Sequence, residues 1–433
     1  MKRPLFKVIT VFICGAGASL ALPPTGWLLA ALGLSIPVIL AMRASRPAFG
    51  ALLFGMGGFG WFTASLYWIA NALFVKGGVQ LLLLPFAVLG LPLLLSLFWM
   101  AAAYLALRLS AHIPTRLVFL ACFWGLAEWL RSFVLTGFPW NVTGHIFAEN
   151  LLLAQMAAYT GQDGLNILAG LFITSAAALY LRAFSASMWM GVPVFLMLGL
   201  SLIRFSNLPP IDAQDSIIRL IQPNIAQIEK WDRARKSEHI SRMIKLASQP
   251  ASPAALTILP EAAIAGFWRD ERDGVQALAQ AITPRNGVLL TGILSADSEK
   301  NFFNSAFFLH HSGGLLGQYH KQHLVPFGEY IPFRKIPFVS ALAGQGEFTP
   351  GPPAEDIFIE PFGYIRVLIC YEIIFPSFIA KDSRRPDIII TLSNDAWFGQ
   401  SIGPHQHFTQ SRLRAIEEGL PVYRLANTGV SGG

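Results

Sequence analysis

Along the first half of the chain apolar residues run almost without interruption, in stretches near 8–22, 26–42, 48–75, 79–107, 115–135, 164–181 and 188–204. A bilayer crossing takes about 17 to 25 such residues, so the pattern predicts a bundle of about seven membrane-spanning helices. It changes abruptly at Asn207-Leu208-Pro209-Pro210. Beyond that point short apolar, β-branched runs at 216–222, 255–259, 287–294, 305–310, 315–319, 364–369, 386–392 and 421–426 predict strands. Helical periodicity at 232–248, 270–282, 373–381 and 405–419 separates several of them, and Gly313-Gly314 closes a hairpin. The expected organisation is a transmembrane bundle over 1–207 followed by a layered α/β domain over 212–433. In such a domain functional groups gather at the carboxyl ends of strands.

Composition agrees: of 433 residues 54% are hydrophobic and only 13% charged, too apolar for one soluble domain. The net charge of +7 changes meaning once divided by region. Residues 1–211 hold 11 Lys/Arg against 3 Asp/Glu, whereas 212–433 hold 21 against 22. The excess therefore sits in loops between spans, not on a soluble basic face, and nucleic-acid binding is excluded. Lys2, Arg3, Lys7, Arg43, Arg46, Arg108, Arg116 and Arg182 fall on one side of the predicted bundle, and Lys76, Arg131 and Arg204 on the other. That asymmetry puts the amino terminus in the cytoplasm, and an odd number of crossings puts residues 212–433 outside. Met1-Lys2-Arg3 before an apolar stretch also resembles a signal peptide. On the outer face Trp140, Phe147 and Tyr159 are expected to form an aromatic collar where a lipid enters. Cys14, Cys122 and Cys370 make no disulfide framework, the cluster His310, His311, His320 and His323 lacks metal-ligand spacing, and no cofactor is expected.

Three polar residues end apolar strands: Glu261 after Ala255 to Pro260, Lys321 after Leu315 to His320, and Cys370 after Leu368-Ile369. Singly, each has an ordinary structural use. Together they suit acyl transfer, with a thiol nucleophile, a carboxylate to take its proton, and an ammonium for the oxyanion. A helix opening at Cys370 would lower the thiol pKa through its amide dipoles. Water has to be kept off a thioester, and Phe327, Phe333, Phe338, Phe348 and Trp397 are candidates for a hydrophobic lid. Two rival readings are a membrane-tethered amidohydrolase with the same three residues and a transporter. Against the latter, the spans carry few polar residues, chiefly Glu128, Asp163 and Asn166.

Leu259-Pro260-Glu261, the run Lys321 to Tyr330, and Cys370-Tyr371-Glu372 with Phe375-Pro376 resemble the three catalytic motifs of the nitrilase superfamily. Their wording resembles one branch, the apolipoprotein N-acyltransferases. So do Gln222-Pro223-Asn224-Ile225 leading to Trp231, Ser393 to Gly399, Gly403 to His407, and Asn427-Thr428-Gly429. The resemblance implies an αββα sandwich behind the bundle, in a bacterial inner membrane with the catalytic domain on the periplasmic face. It implies that an acyl chain passes from the sn-1 position of a phospholipid through a Cys370 thioester to the α-amino group of the diacylglyceryl-cysteine of an apolipoprotein. Glu261, Lys321 and Cys370 would be catalytic, with Glu329, Tyr371 and Glu372 in support and Trp231 on a mobile loop over the cleft. Family members continue past Asn-Thr-Gly with further strands and a final span, so the end at Ser431-Gly432-Gly433 implies a truncated domain with an exposed sheet edge.

Overall fold

The computed structural model describes residues 4–208, 217–249, 254–332, 347–353, 355–376 and 384–433. They form two compact units: Met1–Pro209 with Ser401–Gly419, and Pro210–Gln400 with Leu420–Gly433.

Among the described residues of the first unit six helices are long and apolar enough to cross a membrane: Pro4–Ala21, Pro47–Lys76, Gln80–Leu109, Ile113–Leu130, Ala157–Tyr180 and Phe184–Ser206. The expected second span is instead a shorter pair, the 3-10 turns Leu28–Leu34 followed by the α-helix Ser35–Met42. Side chains such as Leu5, Phe6, Leu29, Leu82, Phe195 and Leu196 stand exposed on the bundle, an apolar surface that suits lipid rather than water. Inside, backbones approach through glycines. A Cβ on Gly15 would collide with the carbonyl of Gly57, and one on Gly60 with that of Phe12, so the first and third predicted spans touch where side chains are absent. The bundle also buries charge: Glu128 pairs with Arg131 at 2.6 Å and accepts from Trp99 Nε1 at 2.8 Å and Thr143 Oγ1 at 2.7 Å.

The collar expectation is corrected here. Trp140 and Phe147 are each 2% exposed, and only Tyr159 is exposed. The indole N–H of Trp140 finds a buried acceptor, Gln406 Oε1 at 3.0 Å, and its ring packs on Trp68 and His407, so the residue fills the interior of this unit.

Among the described residues the second unit holds ten strands: β1 Ile218–Leu220, β2 Leu256–Ile258, β3 Ile264–Phe267, β4 Val288–Ala296, β5 Phe302–His310, β6 Leu315–His320, β7 Ile357–Ile359, β8 Gly363–Ile369, β9 Ile388–Ser393 and β10 Val422–Ala426. One mixed sheet runs β1-β2-β4-β5-β6 with β3 also on β4, and the other runs β10-β9-β8-β7. Strand periodicity separates two cores. Leu256, Ile258, Leu290 and Phe308 share one with Ile365, Val367, Ile390 and Leu392 of the other sheet, so the sheets stack face to face. Leu289, Ile293, Phe307 and Leu309 point the other way, onto Met243, Val275, Leu278 and Ile282. Those four come from the helices Lys236–Ala247 and Trp268–Ile282, the latter with Asp270 and Glu271 in its first turn. Of the remaining predicted helices, 405–419 is observed as Gly403–Glu418 and groups with the first unit. The pattern at 373–381 begins as the short turn Cys370–Ile374, and its later part lies outside the described residues.

Candidate active site

Three strand ends of the second unit supply the predicted residues. Glu261 follows β2, Lys321 follows β6 and Cys370 follows β8. Lys321 is 1% exposed, and its Nζ donates to Glu329 Oε1 at 2.9 Å and lies 3.9 Å from Glu261 Oε1. Burial alone would push the Lys321 pKa down, but the carboxylates of Glu329 and Glu261 outweigh it and the pKa is raised, so the ammonium persists. Asn304, on β5, bridges the two carboxylates: its Nδ2 donates to Glu261 Oε1 at 2.8 Å and to Glu329 Oε1 at 3.0 Å. Glu329 is further fixed by the amide of Val325, which donates to Oε2 at 2.8 Å. The second oxygen of Glu261 is buried and makes no hydrogen bond among the described residues. A carboxylate held by one oxygen with the other left open is set up to receive a proton.

Cys370 is buried and has φ +54°, a left-handed backbone that a residue with a side chain rarely adopts. The five-residue 3-10 turn it opens is too short to supply the pKa depression expected from a helix. Burial pushes the thiol up, and Glu261 and Asp395 push it further, against Lys321 and the backbone N–H of Asn394, which lower it. The resting thiol is therefore protonated near neutral pH, and thiolate has to be made by a base at the moment of attack.

Glu372 is fully buried and holds the turn: Oε2 accepts from Ile369 N at 2.7 Å, and Oε1 from Tyr319 Oη at 2.8 Å, Gln322 N at 2.7 Å and His323 N at 3.0 Å. Burial raises its pKa while the amides oppose that. Tyr371 is buried, its ring 5.0 Å from that of Phe375 and 5.7 Å from that of His323, and burial raises its pKa. Trp231 stands 45% exposed in the turn that follows β1. The structure thus gathers Glu261, Lys321 and Glu329 by direct contact, with Cys370 in their field. Of the lid candidates, Phe327 is exposed, Phe348 and Trp397 are half-buried, and Phe333 and Phe338 lie outside the described residues.

Sequence reasoning missed two contributors. Asn304 interrupts Phe302-Phe303-Asn304-Ser305-Ala306-Phe307, and an asparagine inside so apolar a strand was a legible signal. Lys230, 2% exposed beside Trp231, donates from Nζ to the main-chain oxygen of Glu261 at 2.8 Å.

Comparison with known proteins also divides the chain into two regions. A family model described as carbon-nitrogen hydrolase matches residues 217–433, and one described as apolipoprotein N-acyltransferase N-terminal domain matches residues 14–177. An apolipoprotein N-acyltransferase of Rhodopseudomonas palustris is 34% identical over 455 residues, spanning 98% of this chain and 84% of that protein. One of Allorhizobium ampelinum is 35% identical over 457 residues, spanning 98% and 85%. Among solved structures, a carbon-nitrogen hydrolase from Helicobacter pylori G27 shares 19% identity with a TM-score of 0.35, over 46% of this chain and 70% of that one.

Proposed function

The chain belongs to the apolipoprotein N-acyltransferase family, and from that premise we propose how its residues carry out the transfer. It is a membrane-associated acyltransferase acting on lipoproteins. The donor is a phospholipid, and the acyl group leaves its sn-1 position through a thioester on Cys370. Glu261 takes the proton from Sγ as sulfur bonds to the ester carbonyl carbon. Negative charge developing on the carbonyl oxygen is met by the Lys321 ammonium. Collapse of that intermediate breaks the ester C–O bond, and the proton on Glu261 passes to the departing lysophospholipid. In the second half the α-amino group of the diacylglyceryl-cysteine attacks the thioester, Glu261 takes the amine proton, and the sulfur leaves and is reprotonated. Glu329, Tyr371 and Glu372 support this geometry, and Trp231 sits on a loop that covers the cleft.

One observation carries the reading. A carboxylate with an open oxygen and a lysine bound to a second carboxylate act together on a buried cysteine held in a strained turn. Working beside a lipid surface avoids exposing the acyl chain to water, which costs about 0.8 kcal/mol per methylene. The location is the bacterial inner membrane with the catalytic domain on the periplasmic face. Its support is the eight-to-three division of basic residues and the pair Leu28–Leu34 and Ser35–Met42, which at ordinary helical rises reaches about 26 Å, close to a hydrocarbon core.

The test is to incubate the purified protein with palmitoyl-labelled phospholipid, map the adduct by mass spectrometry, and then add a diacylated lipopeptide. A thioester on Cys370 that chases into triacylated peptide, and that C370A abolishes, is expected. An adduct on another residue overturns the scheme, and free fatty acid without triacylated peptide assigns hydrolysis instead.

A further inference from the structure

The scheme above leaves one buried charge unused. Lys230 is 2% exposed, donates to the main-chain oxygen of Glu261 at 2.8 Å, and feels the charge of the Glu261 carboxylate and, once it is ionised, of the Cys370 sulfur. A lysine stem ordinarily carries its ammonium to water. Here burial lowers the pKa to about 8, against the opposing effect of Glu261 and Cys370, a penalty that an apolar residue of the same length would avoid. The segment that bears it is also tied to the nucleophile side of the site. Ile225 donates to Asn427 Oδ1 at 3.1 Å and accepts from Asn427 Nδ2 at 2.8 Å, and Gln227 Oε1 accepts from Asn394 Nδ2 at 2.6 Å. Asn394 is the residue whose backbone N–H reaches the Cys370 thiol. Glu261, for its part, precedes Ala262 at φ +44°, a conformation that needs support from outside the turn.

We propose that Lys230 is a positioning residue for acyl transfer: by donating to the Glu261 carbonyl it holds the Pro260-Glu261-Ala262 turn so that the carboxylate meets the Cys370 thiol, and its charge favours the thiolate as the proton leaves. The inference rests on the roles given to Glu261 and Cys370 above. Lys230 keeps its own proton throughout, and the proton that moves is the one on Sγ.

The experiment uses the full chain in vesicles of phosphatidylethanolamine and phosphatidylglycerol, with Lys230→Met, which removes the donor, and Lys230→Gln, which keeps a neutral one. Folding is checked by size-exclusion chromatography and thermal unfolding, and single-turnover acylation of Cys370 is followed against pH. K230M is expected to lower kcat by about tenfold or more with KM for phospholipid unchanged, and K230Q by less. The wild-type rate should fall above about pH 8 as the ammonium is lost, and that fall should be absent from K230M. A K230M rate within about twofold of wild type, a loss carried by KM alone, or an unchanged alkaline limb overturns the proposal. If K230M does not fold, K230Q carries the test: about threefold loss in kcat supports it and a wild-type kcat sinks it. Alkylation of Cys370 by iodoacetamide needs no acyl donor and should be several-fold slower in K230M. A wild type that alkylates yet never acylates therefore indicts the thioester scheme and leaves the Lys230 test standing.

Discussion

At the scale of single residues the site works by opposing charges. The φ of +54° at Cys370 costs on the order of 1–3 kcal/mol, and the hydrogen bonds gathered by Glu372 are what hold it. Glu261 has two effects on that cysteine with opposite signs. Its negative charge raises the thiol pKa, while its open oxygen is the proton acceptor. Glu261→Gln should therefore slow thioester formation by about 10²–10⁴-fold, and yet shift the pH midpoint for iodoacetamide alkylation of Cys370 downward. Lys321→Met should move that midpoint upward, because the Lys321 ammonium lowers the thiol pKa. Parallel shifts in both variants would contradict the charge assignment. Glu261, Lys321 and Cys370 were legible because each ends an apolar strand. Lys230 was not, since its meaning arises from a contact across 31 positions that no local pattern encodes.

At the scale of elements, periodicity found eight of the ten described strands. It missed β3 and β7, of four and three residues, and β3 is broken by a register shift against β4. It also could not give the winding of the second predicted span, because apolar content does not distinguish α-helix from the tighter 3-10 winding of Leu28–Leu34. Two glycines show how element packing reaches the chemistry. Gly292, on β4, lies under the turn that carries the base: a Cβ there would come within 2.6 Å of the Pro260 carbonyl and 2.7 Å of Glu261 Cα. Gly274 lies on an exposed part of the helix Trp268–Ile282, where the nearest atom to a Cβ is 4.0 Å away. Gly292→Ala should displace Glu261 and lower kcat by about 10²-fold, the order expected for a misplacement near 1 Å. Gly274→Ala should leave kcat alone and stabilise the second unit by about 0.5–1 kcal/mol through helix propensity. Steady-state kinetics beside thermal unfolding checks both, and a Gly292→Ala enzyme with wild-type kcat would show that the turn tolerates the methyl group.

At the scale of the molecule, chain order and spatial grouping part company. The helix Gly403–Glu418 lies in sequence between β9 and β10, and yet it groups with the membrane unit. Gln406 explains part of this: its Oε1 accepts from Trp68 Nε1 at 3.1 Å, Trp140 Nε1 at 3.0 Å and Asn141 Nδ2 at 3.2 Å, while its Nε2 donates to Ser65 O at 3.3 Å. Arg414 adds a bond from Nη2 to Gln162 Oε1 at 2.8 Å, and Arg412 one from Nη2 to Ala148 O at 2.8 Å. The sequence shows a helical pattern over 405–419, but partners 250 or more positions away cannot be read from periodicity. Two substitutions rank these polar contacts. Gln406→Leu replaces an acceptor whose donors are buried, and its cost should be about 1–3 kcal/mol. Glu128→Ala leaves the fully buried Arg131 guanidinium without its ion pair, and its cost should reach about 3–5 kcal/mol. Thermal unfolding in detergent micelles measures both. The order expected is wild type, then Gln406→Leu, then Glu128→Ala, because an unpaired charge in a dry interior loses more than a neutral amide's partners do. If Glu128→Ala proved the milder of the two, water would have to reach Arg131, and the polar knot inside the bundle would be a hydrated passage rather than a structural tie.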